Sequence, residues 1–318
     1  MNYIVLDLEW NQAQHVSETK DIQFEIIEIG AVKLDENLSE IDKFSSVIKP
    51  TVYKKMNSIV TEITGITEEI LSGEKIFPEV IEEFIKWCGE DYILCTFGSQ
   101  DLYELQMNMI YHNCEIPWSY PLKYIDVQRI FGIESKDYEH RSLEMVSLYY
   151  GIEQDNNYHR GLGDAIYTAE IMKRLDSNHF EEYISLDYVN LPEVERKAKE
   201  FNLGTHLEYI SNELVSKDEV ASLASMRITK CPVCMKKCRK KIKWFSDTTK
   251  YVCVAICDEH GYMEGTINIK KRYNGNYFGV RKVFMINDEQ YEKVIARKNL
   301  LREKRRNKRI KGRQENSI

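Results

Sequence analysis

The sequence predicts an α/β chain, a mixed sheet flanked by helices, followed by a small C-terminal cysteine-rich module. Three observations carry this. The first fifty residues hold three apolar, strand-like runs joined by short linkers. Beyond them, helical stripes alternate with further short strands. From Arg227 the composition turns to Cys, Lys and Tyr.

In chain order, YIVLDLEW is a buried-strand candidate, EIIEIGAVKLD a second, and KFSSVIKP a third that ends at Pro50, together an antiparallel meander. MNSIVTEITGITEEIL holds two short helical pieces. Gly65 ends the first, and Thr67 caps the second, with Glu68 and Glu69 in its first turn. FPEVIEEFIKWCG sets Phe77, Val80, Ile81, Phe84, Ile85 and Cys88 on one helical stripe. YILCTFGS is a strand leading into the helix DLYELQMNMIYHN, and KYIDVQRIF is another strand. SLEMVSLYYGI and GDAIYTAEIMKRL are helices. Such an order implies a mixed sheet covered by helices. The polar stretch from Asp176 to about Ser225, punctuated by Pro192 and Gly204, predicts a helical linker. A last helix is expected from about Asn287 into REKRRNKRIKGR. The expected divisions are therefore 1–178, 179–225, 226–286 and 287–318.

The chain has 318 residues, 43% hydrophobic and 30% charged, an ordinary globular balance. No run approaches the roughly 18 apolar residues of a membrane span, and MNYIVLDLEW lacks the layout of a signal peptide, so a cytoplasmic protein without membrane partners is expected. The net charge of −7 hides an asymmetry: residues 226–318 hold 25 Lys+Arg against 9 Asp+Glu, leaving 19 basic and 42 acidic residues in the rest. A basic last third beside an acidic body suggests two parts with different partners.

Asp7 and Glu9 stand two apart on the first strand and so share a face. Two acids on a core strand are costly to bury unless they hold a cation, and hard divalent cations take such oxygens. Asp101 follows the strand YILCTFGSQ, and His159 and Asp164 stand five apart at a helix entrance. Four acids from three segments suit two metal ions clamping the attacking and leaving oxygens of a phosphodiester. His159 suits removal of a proton from the attacking water. Each position has a plainer alternative. Asp101 could only cap the following helix. Asp126, also borne on a strand, competes with it. His140 is a rival base, but Met145 stands where its paired acid should be. Glu25 and Glu28 are expected to face solvent or to stand behind the ligands.

These residues resemble the DEDDh branch of the DnaQ-like 3′→5′ exonucleases, on the ribonuclease-H-like fold. The first motif is DLE (Asp7, Glu9), the second acid is Asp101, and the third motif is HRGLGD (His159, Asp164). EIIEIGAV, FSSVIKP and ITGIT add to the likeness, which covers residues 1 to about 175 and is nearest the KapD-like and histone-mRNA-exonuclease-like group, which leans towards RNA. The resemblance implies Asp7, Glu9, Asp101 and Asp164 as ligands of two magnesium or manganese ions and His159 as general base. It further implies stepwise hydrolysis of single-stranded RNA or DNA from a free 3′ end, with release of nucleoside 5′-monophosphates. Trp10, where the family often has a small residue, and Asn11 are candidate substrate contacts. Trp10 would stack on the terminal base or pack in the core. Gly161 stands where the family favours Ala and Gly163 stands beside the acid, a pair that loosens the helix entrance but removes no functional group.

Five of eight cysteines crowd into residues 231–257. Cys231-Pro-Val-Cys234 and Cys257-Asp-Glu-His260 are two tight knuckles 22 residues apart, joined by the hairpin KIKWFSDTTKYVCVAI. The spacing resembles a zinc ribbon, with one structural zinc on Cys231, Cys234, Cys257 and His260. Cys238 or Cys253 could replace His260. Lysines and arginines interleave here with Trp244, Phe245, Tyr273, Tyr277 and Phe278, a composition suited to single-stranded nucleic acid unless the rings simply pack. A catalytically weak binding or regulatory protein on the same fold is the alternative function, and an enzyme acting on very short oligonucleotides a third.

Overall fold

The structure is a computed structural model. It describes residues 1–15, 22–118, 120–137, 139, 141–153, 159–272 and 274–315, with side chains to 307. Two compact units divide the chain, 1–190 and 191–318.

The first unit runs β1 (Asn2–Gln12), β2 (Phe24–Leu34), β3 (Glu40–Val47), α1 (Ser58–Thr64), α2 (Glu68–Leu71), α3 (Phe77–Cys88), β4 (Tyr92–Thr96), α4 (Gln100–Tyr111), β5 (Lys123–Asp126), α5 (Val127–Ser135), α6 (Leu143–Tyr149), α7 (Gly161–Met172), α8 (Asn178–Glu182) and β6 (Ser185–Leu186). The sheet order is β3-β2-β1-β4-β5-β6. The expected meander is antiparallel, β4 and β5 run parallel to β1, and β6 closes the edge antiparallel.

Central β1 alternates between two cores. Ile4, Leu6 and Leu8 pack with Phe84 of α3 and Leu105 of α4, while Val5 packs with Ile125, Ala165 and Ile171 on the other side. Each such buried side chain contributes about 1.5–3 kcal/mol. Asp7 and Glu9 continue the Val5 face, towards α7, which packs on β1 and β2. The local signals hold: Gly65 is the left-handed C-cap of α1 at φ 70°, and the Thr67 side chain accepts from Ile70 N.

The second unit carries a sheet of order β7-β8-β12-β11-β10-β9, from β7 (Glu200–Asn202), β8 (His206–Ile210), α9 (Lys217–Ser222), β9 (Arg239–Asp247), β10 (Lys250–Cys257), β11 (Gly261–Lys271), β12 (Tyr277–Met285) and α10 (Asp288–Glu315). β9 and β10 form the expected hairpin, and α10 the expected last helix. The helical linker expected over 179–225 is corrected. β6 belongs to the first sheet, and β8 pairs with β12, Ile210 opposite Val280 and His206 opposite Phe284. His206 and Glu208 disguised that strand. Both are only 1% exposed, their side chains 3.1 Å apart, with Lys282 Nζ 3.0 Å from the same carboxylate. No described helix is long and apolar enough to cross a membrane.

Candidate active site and metal centres

β1 presents Asp7 and Glu9, and α7 presents Asp164 from its first turn. One ligand atom from each of the three lies within 4.8 Å of the others. The helix reaches the sheet this closely because two glycines cross. A Cβ on Gly30 would fall 2.0 Å from the Gly161 carbonyl carbon, and one on Gly161 would sit 3.0 Å from Gly30 N and 3.2 Å from Asp7 O. Gly161, read from the sequence as loosening the helix entrance, is instead a point of close packing.

Asp101 is buried in the first turn of α4, whose N-cap is Ser99. Its Oδ1 accepts from Leu8 N at 3.2 Å, which ties it to β1 between the two motif acids. It is therefore no cap, and it stands beside the trio rather than in it. Asp126, its competitor, does cap α5, accepting from Arg129 N at 3.0 Å. His140 and Tyr273 lie outside the described residues.

The acids are buried and repel one another. Burial, then the charges of Asp101, Asp164 and Glu9, holds Asp7 well above the usual carboxylate range. Burial and then Asp164 push Glu9 up to about 8. Burial raises Asp101 to about 7 and Asp164 to about 6. Among the described residues Asp164 Oδ1 is buried without a hydrogen-bond partner, while Oδ2 accepts from His159 N at 3.2 Å. An orphaned carboxylate oxygen on one of three converging acids fits a divalent cation. His159 is exposed at the helix entrance, with φ 61°.

One expectation is corrected by burial. Asn11 is fully buried: its Nδ2 donates to Tyr53 O and Lys55 O at 2.9 and 3.0 Å, and its Oδ1 accepts from Asn57 N. It clips β1 to the segment before α1 and has no group left for substrate. Trp10 follows a bulge and packs half-buried against the β1–α3 core, its ring 5.7 Å from that of Phe24. Glu25 and Glu28 do not face solvent. Glu25 accepts from Val52 N and Tyr53 N, and Glu28, 1% exposed, takes the Arg160 guanidinium and Gly161 N. The Glu28–Arg160 pair was missed from sequence, although Arg160 stands beside His159 in the third motif.

In the second unit Cys231, Cys234, Cys257 and His260 converge. Cys234 and Cys257 sulfurs are 3.7 Å apart, and His260 Nδ1 lies 3.6 Å from Cys231 Sγ and 3.5 Å from Cys257 Sγ. A tetrahedral zinc with ordinary bond lengths places sulfurs about 3.8 Å apart and sulfur and nitrogen about 3.6 Å apart. The quartet fits that ion. Cys253 instead packs over Gly265, where a Cβ would meet its sulfur at 2.8 Å, and Cys238 Sγ donates to Lys236 O at 3.3 Å. Among the described residues, several aromatics of this unit are packed. Phe278 is 4% exposed, and Trp244 donates to Arg227 O. The cations Lys241 and Lys243 on β9, and Arg302, Lys304 and Arg306 on α10, are exposed.

Comparison with known proteins agrees with this geometry. A family model described as exonuclease matches residues 4–172. A PolC-type DNA polymerase III of Clostridium perfringens is 29% identical over 174 residues, 54% of this chain and 11% of that protein. The 3′-5′ exoribonuclease 1 of Rattus norvegicus is 28% identical over 161 residues, 48% of this chain and 46% of that protein. The chain thus spans about a tenth of the first relative and under half of the second. Among solved structures, the nuclease domain of 3′hExo, a DEDDh family member bound to rAMP, superposes with a TM-score of 0.51 at 22% identity. It covers 59% of this chain and 96% of that one, and shows the expected ribonuclease-H-like fold.

Proposed function

The chain belongs to the exonuclease family, and on that premise we propose that it removes nucleotides one at a time from the 3′ end of single-stranded nucleic acid, RNA ahead of DNA, and releases nucleoside 5′-monophosphates. The convergence of Asp7, Glu9 and Asp164, with Asp101 tied to the same strand and Asp164 Oδ1 unpartnered, carries the reading.

The four carboxylates would hold two magnesium or manganese ions, which supply charge neutralisation for the attacking and leaving oxygens. His159, exposed beside Asp164, accepts the proton of the attacking water. Glu28 keeps the His159–Gly161 corner against β2 through Arg160. The rat relative's name supports RNA, and the polymerase relative keeps DNA as the second arm of the test. Cys231, Cys234, Cys257 and His260 would hold one zinc ion in a closed shell, which stabilises the second unit and takes no part in chemistry. The exposed cations of β9 and α10 would add salt-sensitive attraction to phosphates.

The test is digestion of 5′-labelled RNA and DNA of one sequence, with magnesium or manganese, beside Asp7→Asn and His159→Ala. A ladder shortening from the 3′ end, faster on RNA, abolished by EDTA and by Asp7→Asn and slowed at least about 100-fold by His159→Ala, is expected. Intact polymers, or a ladder unaffected by either substitution, would overturn the reading.

A further inference from the structure

This inference rests on the exonuclease reading above and concerns a residue that would touch neither metal nor substrate. Glu28 lies within β2, 1% exposed. Its Oε1 accepts from Arg160 Nη2 at 2.8 Å. Its Oε2 accepts from Arg160 Nε at 3.0 Å and from Gly161 N at 3.0 Å. This is a two-pronged guanidinium–carboxylate pair plus the first amide of α7, both charge-assisted and geometrically specific. On the other side of the corner, His159 N donates to Asp164 Oδ2.

His159 itself sits at φ 61°, a conformation that non-glycine residues avoid unless their surroundings impose it. What imposes it is the bond to Asp164 on one side and the Glu28 clamp on the next two residues. Gly161 has little room to drift, because Gly30 and Asp7 backbone atoms close off the space beside it. We propose that Glu28 is a positioning residue for the general base: its carboxylate fixes the Arg160–Gly161 segment so that the His159 imidazole stays beside the carboxylate trio. The competing role is purely structural, a pair that holds α7 on β2 and affects base and metal alike.

A double-mutant cycle separates the two. Glu28→Gln keeps the shape and an acceptor but removes the charge that orders the guanidinium. Single-turnover hydrolysis of a 5′-labelled oligonucleotide is measured at saturating manganese, with manganese affinity and melting temperature recorded for every variant. In the otherwise wild-type protein the substitution should lower the rate about 10- to 100-fold, the scale of a misplaced catalytic group. Manganese affinity should stay within about twofold. In a His159→Ala background, the same substitution should lower the remaining rate less than about twofold, since there is no base left to position. Equal losses in both backgrounds, or a loss accompanied by a comparable fall in manganese affinity, would overturn the role while the exonuclease reading stands. A wild-type protein that leaves every oligonucleotide intact would sink the exonuclease reading and this role with it.

Discussion

Gly30→Ala tests the packing that assembles the site. The new Cβ would stand 2.0 Å from Gly161 C and Leu162 N and 2.4 Å from Gly161 O. Carbon contacts settle near 3.5 Å, so β2 and α7 must part by about 1.5 Å. All the offending atoms are backbone, so no side chain can swing away. α7 carries Asp164, and His159 leads into it, so the acid trio and the base move apart. Overpacking of this kind costs about 1–3 kcal/mol, or about 2–4 °C of melting temperature per kcal/mol in a unit of this size. A displacement of about 1 Å costs about 100-fold in rate. The assay is single-turnover hydrolysis beside thermal melting, with circular dichroism to show retained structure. Gly161→Ala provides the graded comparison. Its Cβ would meet Gly30 N, Asp7 O and Gly30 Cα at 3.0, 3.2 and 3.4 Å, shortfalls of a few tenths of an ångström. Its rate should fall by no more than about tenfold. Full activity in Gly30→Ala, or a larger defect in Gly161→Ala, would refute the reasoning.

Three further outcomes are expected. In metal-free protein, Glu9, Asp101 and Asp164 titrate near 8, 7 and 6, above ordinary carboxylates. The folded state then binds more protons than the unfolded one, so stability falls as pH rises from about 4 to 8, and the melting-temperature gain from manganese should grow across that window. A gain that is flat or shrinks with pH would count against the acid cluster as the binding site. His159→Gly should melt above His159→Ala by a few degrees, because glycine relieves the cost of about 1–2 kcal/mol at φ 61°, and both should turn over at least about 100-fold more slowly than wild type. Cys234→Ser, or chelation of zinc, should cost the second unit its cooperative unfolding transition and release about one zinc per chain by atomic absorption. Purified protein without zinc and with an unchanged transition would exclude the metal.

Much of the site was legible because its chemistry sets residue types at fixed spacings. Asp7 and Glu9 share a face because strand side chains alternate. His159 and Asp164 are five apart because one precedes α7 and the other lies in its first turn. The two knuckles are legible because two-residue gaps let paired side chains reach one ion. What escaped depended on burial of polar groups, which local pattern does not reveal. Asn11 was read as a candidate substrate contact beside the motif but is a buried clip holding three backbone groups. Glu28 looked peripheral, because its partner Arg160 is 132 positions away. β8 was hidden because its hydrophobic pattern is interrupted by His206 and Glu208, which are satisfied by each other and by Lys282. Asp101 was singled out by its place after a strand. Its tie to Leu8 N, which rules out a mere cap, exists only once α4 is packed on β1.

The most direct test of the central claim is the fate of the oxygen atoms. A single-stranded RNA is digested by the wild-type protein with manganese in water enriched in oxygen-18, and the products are weighed by mass spectrometry. Water activated beside His159 and the acid trio predicts nucleoside 5′-monophosphates, each carrying one heavy oxygen on phosphorus. Products ending in 3′-phosphate or cyclic phosphate, or 5′-monophosphates without the label, would contradict it.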